Sequence, residues 1–89
     1  MVFDQGSSLK LMQKIHFIRA EWDDKAKVWV ATSDEVPGLA TEAATLEELS
    51  AKLDILVPEL LQLNGGITSS EIPFELLARR FSVVQTALH

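Results

Sequence analysis

Few side chains in this 89-residue sequence are of a type that does chemistry. Two acidic pairs stand out, Asp23 with Asp24 and Asp34 with Glu35, and Glu21 lies just before the first pair. A nuclease that uses two metal ions needs several carboxylates that converge on one point. Both pairs fall in predicted turns, where aspartate commonly bonds the backbone. We therefore interpret them as turn-forming residues.

Nucleophilic and zinc chemistry have even less support. The sequence contains no cysteine and two histidines, His16 and His89. Zinc takes three or four nitrogen, sulfur or carboxylate ligands, and a serine or threonine nucleophile needs a base held beside it. We expect His16 to be a core or edge residue of a strand. We assign no catalytic residue, no metal site and no cofactor.

The composition predicts one domain with a modest core. Hydrophobic residues make up 47% of the chain, and a chain of this length buries only about 60–65% of its unfolded surface. The net charge of −5 repels the phosphates of nucleic acid and suits a basic protein partner, so no DNA partner is expected. Neither a secretory signal nor an apolar run of about 20 residues is present. We expect a cytoplasmic protein without a membrane partner.

A β-hairpin is predicted in the first third of the chain. The segment IHFIRAEW, residues 15–22, is rich in β-forming residues, and the alternating set that ends in Trp22 is the better buried face. The charged turn DDKAK leads to a second strand, VWVAT, at residues 28–32. The register stays open. A four-residue loop puts Trp29 on the face of Trp22, whereas a five-residue loop puts Val30 there.

The segment VPGLATEAATLEEL, residues 36–49, contains a corner and the start of a helix. Pro37 and Gly38 mark the bend into a short third strand, LATEA. Thr45 followed by Glu48 is a capping box, in which each side chain satisfies a backbone N–H near the helix start. Leucines then recur at spacings of three and four and predict one apolar helix stripe, made of Leu46, Leu49, Leu53, Leu56, Leu60 and Leu63.

The second half of this helix carries a conflict. An interior proline costs about 3 kcal/mol, so we expect either a kink at Pro58 or a second short turn that Pro58 opens. Glu48 is placed to pair with Lys52 four residues on. The glycine pair that begins at Gly65 is expected to end the helix. Beyond it, IPFELLARRFSVV, residues 72–84, alternates in the manner of a fourth strand.

The order strand, strand, strand, helix, strand predicts an α+β fold. We expect a three-stranded antiparallel meander, one helix on one face of the sheet, and a fourth strand. Residues 1–13 are predicted to be a flexible N-terminal lead-in, residues 14–83 a single domain, and residues 84–89 a C-terminal tail.

One face of such a sheet stays bare, and an exposed apolar face invites a partner. We expect Phe17 on this bare face. The predicted interface residues are Phe17, Trp22 and Trp29, because large aromatic side chains dominate the energetics of interfaces. Self-association is also expected, with a homodimer as the favoured homo-oligomer.

Residues 14 to about 80 resemble the HicB-like antitoxin superfamily, and specifically its short, stand-alone prokaryotic domains of unassigned function. The features that carry the resemblance are the hairpin closing near VWVA, the corner at Pro37 and Gly38, the Thr-rich third strand and the helix opening TLEEL. The resemblance implies a β-β-β-α-β, partial ribonuclease-H-like fold without the catalytic carboxylates. It also implies a non-enzymatic domain that neutralises a small basic ribonuclease toxin, HicA, by covering it.

The sequence departs from the full-length antitoxins of that superfamily, which usually carry a C-terminal DNA-binding module. Only residues 81–89 follow Arg80, so we expect no DNA-binding module and no autoregulation. The alternative function is an RNA-binding or residual metal-dependent nuclease domain, with Glu21, Asp23 and Asp24 as candidate metal ligands. A regulatory domain for a small ligand ranks lowest, because the sequence offers no phosphate-cradling loop.

Overall fold

A computed structural model of the chain describes residues 14–65 and 71–87. Four strands form one mixed sheet in the order β3-β2-β1-β4, and one helix packs against it. The elements in chain order are β1 (His16–Asp23), β2 (Val28–Thr32), β3 (Ala40–Ala43), α1 (Leu46–Leu63) and β4 (Phe74–Arg79). The α+β class, the antiparallel meander, the helix on one face of the sheet and the fourth strand are confirmed for the described residues. The predicted lead-in, residues 1–13, lies outside the described residues.

The hairpin between β1 and β2 has the four-residue loop. Trp22 lies opposite Trp29, and Ala20 lies opposite Ala31. Side chains of residues opposite each other in an antiparallel pair point to the same face of the sheet. Trp29 therefore shares the face of Trp22, and the five-residue alternative is wrong.

The turn of this hairpin explains the register. The Asp23 carboxylate accepts the backbone N–H of Lys25 at 3.0 Å and that of Ala26 at 3.1 Å. Lys27 has a φ of 60° and donates its N–H to the Asp23 carbonyl at 2.8 Å. These bonds close the loop at Lys27, so the second strand starts one residue after it.

The corner at Pro37 and Gly38 is a tight turn. The N–H of Leu39 donates to the carbonyl of Val36 at 3.1 Å across it. Gly38 has a φ of +84°, as the third position of a type II turn requires, and residues with a Cβ rarely adopt it. Val36 and Leu39 are both buried, and a Cβ at Gly38 would lie 3.6 Å from the Leu60 side chain. The corner is thus a joint between the sheet and α1.

The predicted helix start at Thr45 is confirmed, but only the threonine half of the capping box is present among the described residues. The Oγ1 of Thr45 accepts the N–H of Glu48 at 3.1 Å, which satisfies one of the free donors of the first turn. The predicted pair between Glu48 and Lys52 is wrong. The Lys52 ammonium instead donates to the carbonyl of Glu42 in β3 at 2.6 Å, because the helix lies close enough to that strand for the side chain to reach it.

The helix runs through Pro58 without interruption. A second turn opened by this proline is therefore wrong, and the expected kink stays a prediction. The helix ends at Leu63, and Gly65, with a φ of +70°, donates its N–H to the carbonyl of Gln62 at 3.0 Å. The predicted glycine stop is confirmed at this position.

The core lies between α1 and one face of the sheet, which we call the inner face. The buried set differs from the predicted leucine stripe. Leu63 is 82% exposed, whereas Val57 and Leu61 are buried in the same turns, because positions four residues apart follow the face of a helix that looks at the sheet. The buried core consists of Ile18, Ala20, Ala31, Val36, Leu39, Ala43, Leu49, Leu53, Val57 and Leu61.

β4 lies at the edge of the sheet and runs parallel to β1, with His16 opposite Phe74 and Glu21 opposite Arg79. A parallel neighbour needs a long crossover, and the segment that contains α1 supplies it. β4 is shorter than the predicted strand over residues 72–84, and its pairing with β1 stops at Glu21 and Arg79 although β1 continues to Asp23. Residues 80–87 are exposed and without regular secondary structure; we call them the C-terminal arm.

Removal of the helix cap tests the start of α1. Thr45→Ala is expected to lower the free energy of unfolding by about 1 kcal/mol, since the N–H of Glu48 loses its acceptor. Urea denaturation followed by circular dichroism measures this change. Thr45→Ser keeps the hydroxyl and is the matched control. Equal stability of the alanine and serine variants would contradict the capping role.

Substitution of two leucines of the predicted stripe, one buried and one exposed, tests which side of α1 faces the core. Leu53 is fully buried, and Leu53→Ala is expected to cost about 2–5 kcal/mol in unfolding free energy through the cavity that it leaves. Leu63→Ala removes the same atoms from an exposed site and is expected to cost less than about 0.5 kcal/mol. Similar losses for both variants, measured by urea denaturation, would show that the core is assigned to the wrong side of α1.

Candidate interaction surface

The face of the sheet opposite α1, which we call the outer face, carries an alternation of apolar and charged side chains. The strand registers place one row from each strand on it. No described element covers it. Its side chains include Phe17, Arg19, Glu21, Val28, Val30, Glu42, Glu75, Leu77 and Arg79.

The apolar part of the outer face spans three neighbouring strands. Phe17 on β1 is 45% exposed and Leu77 on β4 is 52% exposed. Val28 and Val30 on β2 are half-buried. Together these side chains form an exposed apolar patch on the outer face.

Phe17 is held in place by its backbone. Its N–H donates to the Glu35 carboxylate at 2.9 Å, and its carbonyl accepts the Ser33 hydroxyl at 2.7 Å. The same hydroxyl accepts the N–H of Glu35 at 3.0 Å. β2 ends at Thr32, and beyond it the side chains of Ser33 and Glu35 take the place of a strand as hydrogen-bond partners of the β1 backbone. Glu35 is therefore a structural partner of β1, a role that its interpretation as a turn-forming residue did not include.

Charged groups surround the apolar side chains. Glu21, Glu42 and Glu75 carry negative charge on the outer face, and Arg79 carries positive charge. Arg19 pairs with Asp34 at 3.2 Å, and this hydrogen bond and charge raise the pKa of the guanidinium further. Exposed pairs of this kind contribute little stability, so Arg19 and Asp34 remain accessible to a partner.

Trp22 and Trp29 lie together on the inner face. Their rings meet edge to face at 5.4 Å, and the Arg80 guanidinium lies 4.7 Å from the Trp22 ring. The indole N–H of Trp22 donates to Asp24 at 3.2 Å, and the Lys27 ammonium does so at 3.3 Å. The indole bond, followed by the bond and charge of Lys27, lowers the pKa of the Asp24 carboxyl. This acidic pair is likewise engaged in its turn.

The predicted interface residues do not form one surface. Phe17 is on the outer face, whereas Trp22 and Trp29 are on the inner face, and Trp29 packs against the core. Alternation along β1 puts residues 17 and 22 on opposite sides of the sheet. Leu77 is not among the predicted interface residues, although its odd-numbered position in the alternating segment 72–84 is the signal that places it on the outer face.

The C-terminal arm adds a second exposed apolar region. Phe81, Val83 and Val84 are 76–83% exposed. At the start of the arm, Phe81 lines an open depression of about 310 Å³ together with Glu21, Trp22 and Arg79. Chemically, the depression offers one carboxylate, one guanidinium and two aromatic rings.

The histidines and carboxylates form no metal site within residues 14–65 and 71–87, where no group of three or more potential ligands is placed to hold an ion. His16 is half-buried, and its Nδ1 lies 3.5 Å from the carbonyl oxygen of Pro73. His89 lies outside the described residues. In the part of the chain that the structure describes, no helix has the length and apolar character needed to cross a membrane.

The fold recurs in a solved structure. The crystal structure of a hypothetical protein from the extremely thermophilic bacterium Thermus thermophilus is similar to this chain at 52% sequence identity and a TM-score of 0.63. The similarity covers 82% of this chain and 100% of the other. No curated protein matches the chain. The family described as "Domain of unknown function (DUF1902)" matches residues 15–86, and the chain therefore belongs to this family.

Proposed function

We propose that this protein is a non-enzymatic interaction domain of HicB-like fold that binds and neutralises a small basic ribonuclease of the HicA type. The observation that carries the proposal is the uncovered outer face, on which Phe17 and Leu77 are each about half exposed. A domain with one core needs apolar side chains on only one face of its sheet. Exposed apolar side chains on the other face therefore favour a role in binding.

The charge of the chain favours a basic partner. The net charge is −5, and the exposed side of α1 adds acidic residues to those of the outer face, including Glu47, Asp54 and Glu59. Opposite charge accelerates the encounter of two proteins and disfavours wrong partners. Phosphate backbones are repelled by the same field, which favours direct contact with the toxin over contact with its RNA substrate.

The alternative, an RNA-binding or residual metal-dependent nuclease domain, has no observation that favours it. The Asp23 carboxylate accepts two backbone N–H groups, and that of Asp24 accepts from Trp22 and Lys27. Both therefore have partners within the turn. Glu21 lies on the outer face beside Arg79. We therefore propose the neutralising role.

A ribonuclease inhibition assay tests the proposal. Rising amounts of the protein are added to a purified HicA-type ribonuclease from the same source organism, and cleavage of a labelled RNA is followed. Cleavage is expected to stop near an equimolar ratio. Phe17→Ala is expected to weaken inhibition by more than about ten-fold, because an aromatic side chain at the centre of an interface contributes about 2 kcal/mol or more.

The matched control is Ile55→Ala, which removes an apolar side chain that is 62% exposed on α1. It is expected to inhibit like the wild-type protein. Undiminished cleavage at every ratio would contradict the proposed function. Equal inhibition by the wild-type and Phe17→Ala proteins would place the toxin on another surface. Circular dichroism of each variant checks that the fold is retained.

A further inference from the structure

We infer that two copies of this chain join through their β4 strands, which pair antiparallel about a two-fold axis at Leu77 and form one continuous eight-stranded sheet. The inference goes beyond the proposed function, because it concerns a second copy of the chain and requires no toxin. It starts from β4, the last strand of the sheet, which pairs only with β1 among the described residues.

The two edges of the sheet differ in how open they are. β3 has four residues, and the carbonyl of Glu42 on it accepts the Lys52 ammonium. β4 has six residues and contains no proline, and no other strand of the described chain lies along its outward edge. An exposed strand edge of this length is a template for pairing with another strand.

The sequence of β4 is complementary to itself in the antiparallel direction. With the axis at Leu77, Glu75 of each copy faces Arg79 of the other, and the two Leu77 side chains face each other. All three residues lie on the outer face. Opposite charges on directly facing residues stabilise a strand pair. A symmetric dimer requires this kind of self-complementarity, since each interface residue meets the same surface on the partner.

The same register gives the C-terminal arm a partner. Beyond Arg79, each arm continues along the second copy's residues 72–74, and Phe81 comes opposite its Pro73. This position is next to Ile15, which is 46% exposed in the single chain and precedes the residue whose N–H bonds the Pro73 carbonyl. The pairing therefore covers Phe81 and Ile15, which one chain leaves in solvent.

The distribution of exposed apolar side chains favours a second copy as the occupant of this edge. Among residues 14–65 and 71–87, eight large hydrophobic residues are exposed. Six of them belong to β1, β4, the residue before β1 or the arm, and two belong to α1. The six are Ile15, Phe17, Leu77, Phe81, Val83 and Val84. One chain thus carries both the open edge and the apolar arm that can lie along it.

Sedimentation velocity of the full chain, over a concentration series and without any toxin, tests the inference. The wild-type protein is expected to be a dimer. Glu75→Arg and Arg79→Glu, each alone, turn two attractive pairs into two repulsive pairs and are expected to weaken dimerisation by about ten-fold or more. A mixture of the two variants restores both attractive pairs, so a heterodimer is expected to form with nearly wild-type affinity.

Glu42→Arg is the matched control, since it makes the same charge change on the outer face at the opposite edge, and its dimer is expected to be unchanged. Leu77→Lys puts two like charges on the axis and is expected to give monomers, whereas Ile55→Lys on α1 is expected to give dimers. A wild-type monomer at every concentration would overturn the inference. So would Glu75→Arg dimers as tight as the wild type, or a mixture that does not pair. Each of these outcomes is independent of whether a toxin is neutralised.

Discussion

The packing of one helix on a row of small side chains organises the rest of this molecule. Leu49, Leu53, Val57 and Leu61 follow one another at intervals of four along α1 and pack against the inner face. Opposite them the sheet presents Ala20, Ala31 and Ala43, which let the helix backbone approach the strands closely. The buried apolar residues of α1 therefore pack against only one face of the sheet. The other face keeps large side chains that contribute little to the core, among them Phe17 and Leu77.

The acidic residues that attract attention as possible metal ligands have a structural explanation. Asp23 closes the hairpin turn, Asp24 bonds the indole of Trp22, and Glu35 replaces a missing strand at the end of the β1 ladder. The bonds of Asp23 and Glu35 go to backbone N–H groups and lie where a strand ends or begins. Carboxylates accept backbone N–H groups strongly, so short, tightly specified strands such as these use them at the points where the ladder stops.

Local features of this fold could be predicted from the sequence. The cap at Thr45, the inner-face position of Trp22 and the glycine stop at Gly65 depend on neighbouring residues, and all three are found.

The hairpin register could not be decided, because it depends on hydrogen bonds that form only once the turn has closed. Neither the exposure of Leu63 nor the length of β4 could be predicted. Both depend on contacts between elements that are far apart in sequence. At the candidate surface, the alternation of side chains along β1 correctly predicted that Phe17 lies on the outer face. The same alternation puts Trp22 on the inner face, so the three aromatic residues should not have been predicted as one interface.

The parallel pairing of β1 with β4 has a consequence for how the chain folds. His16 and Phe74 are neighbours in the sheet although they are 58 positions apart in sequence. The hairpin, the third strand and the helix all form through contacts closer in sequence, whereas closing this long loop costs the most chain entropy. Synthesis from the N-terminus also delivers β4 after the other described elements. The edge of β1 that pairs with β4 therefore stays open for longer than the edge that pairs with β2.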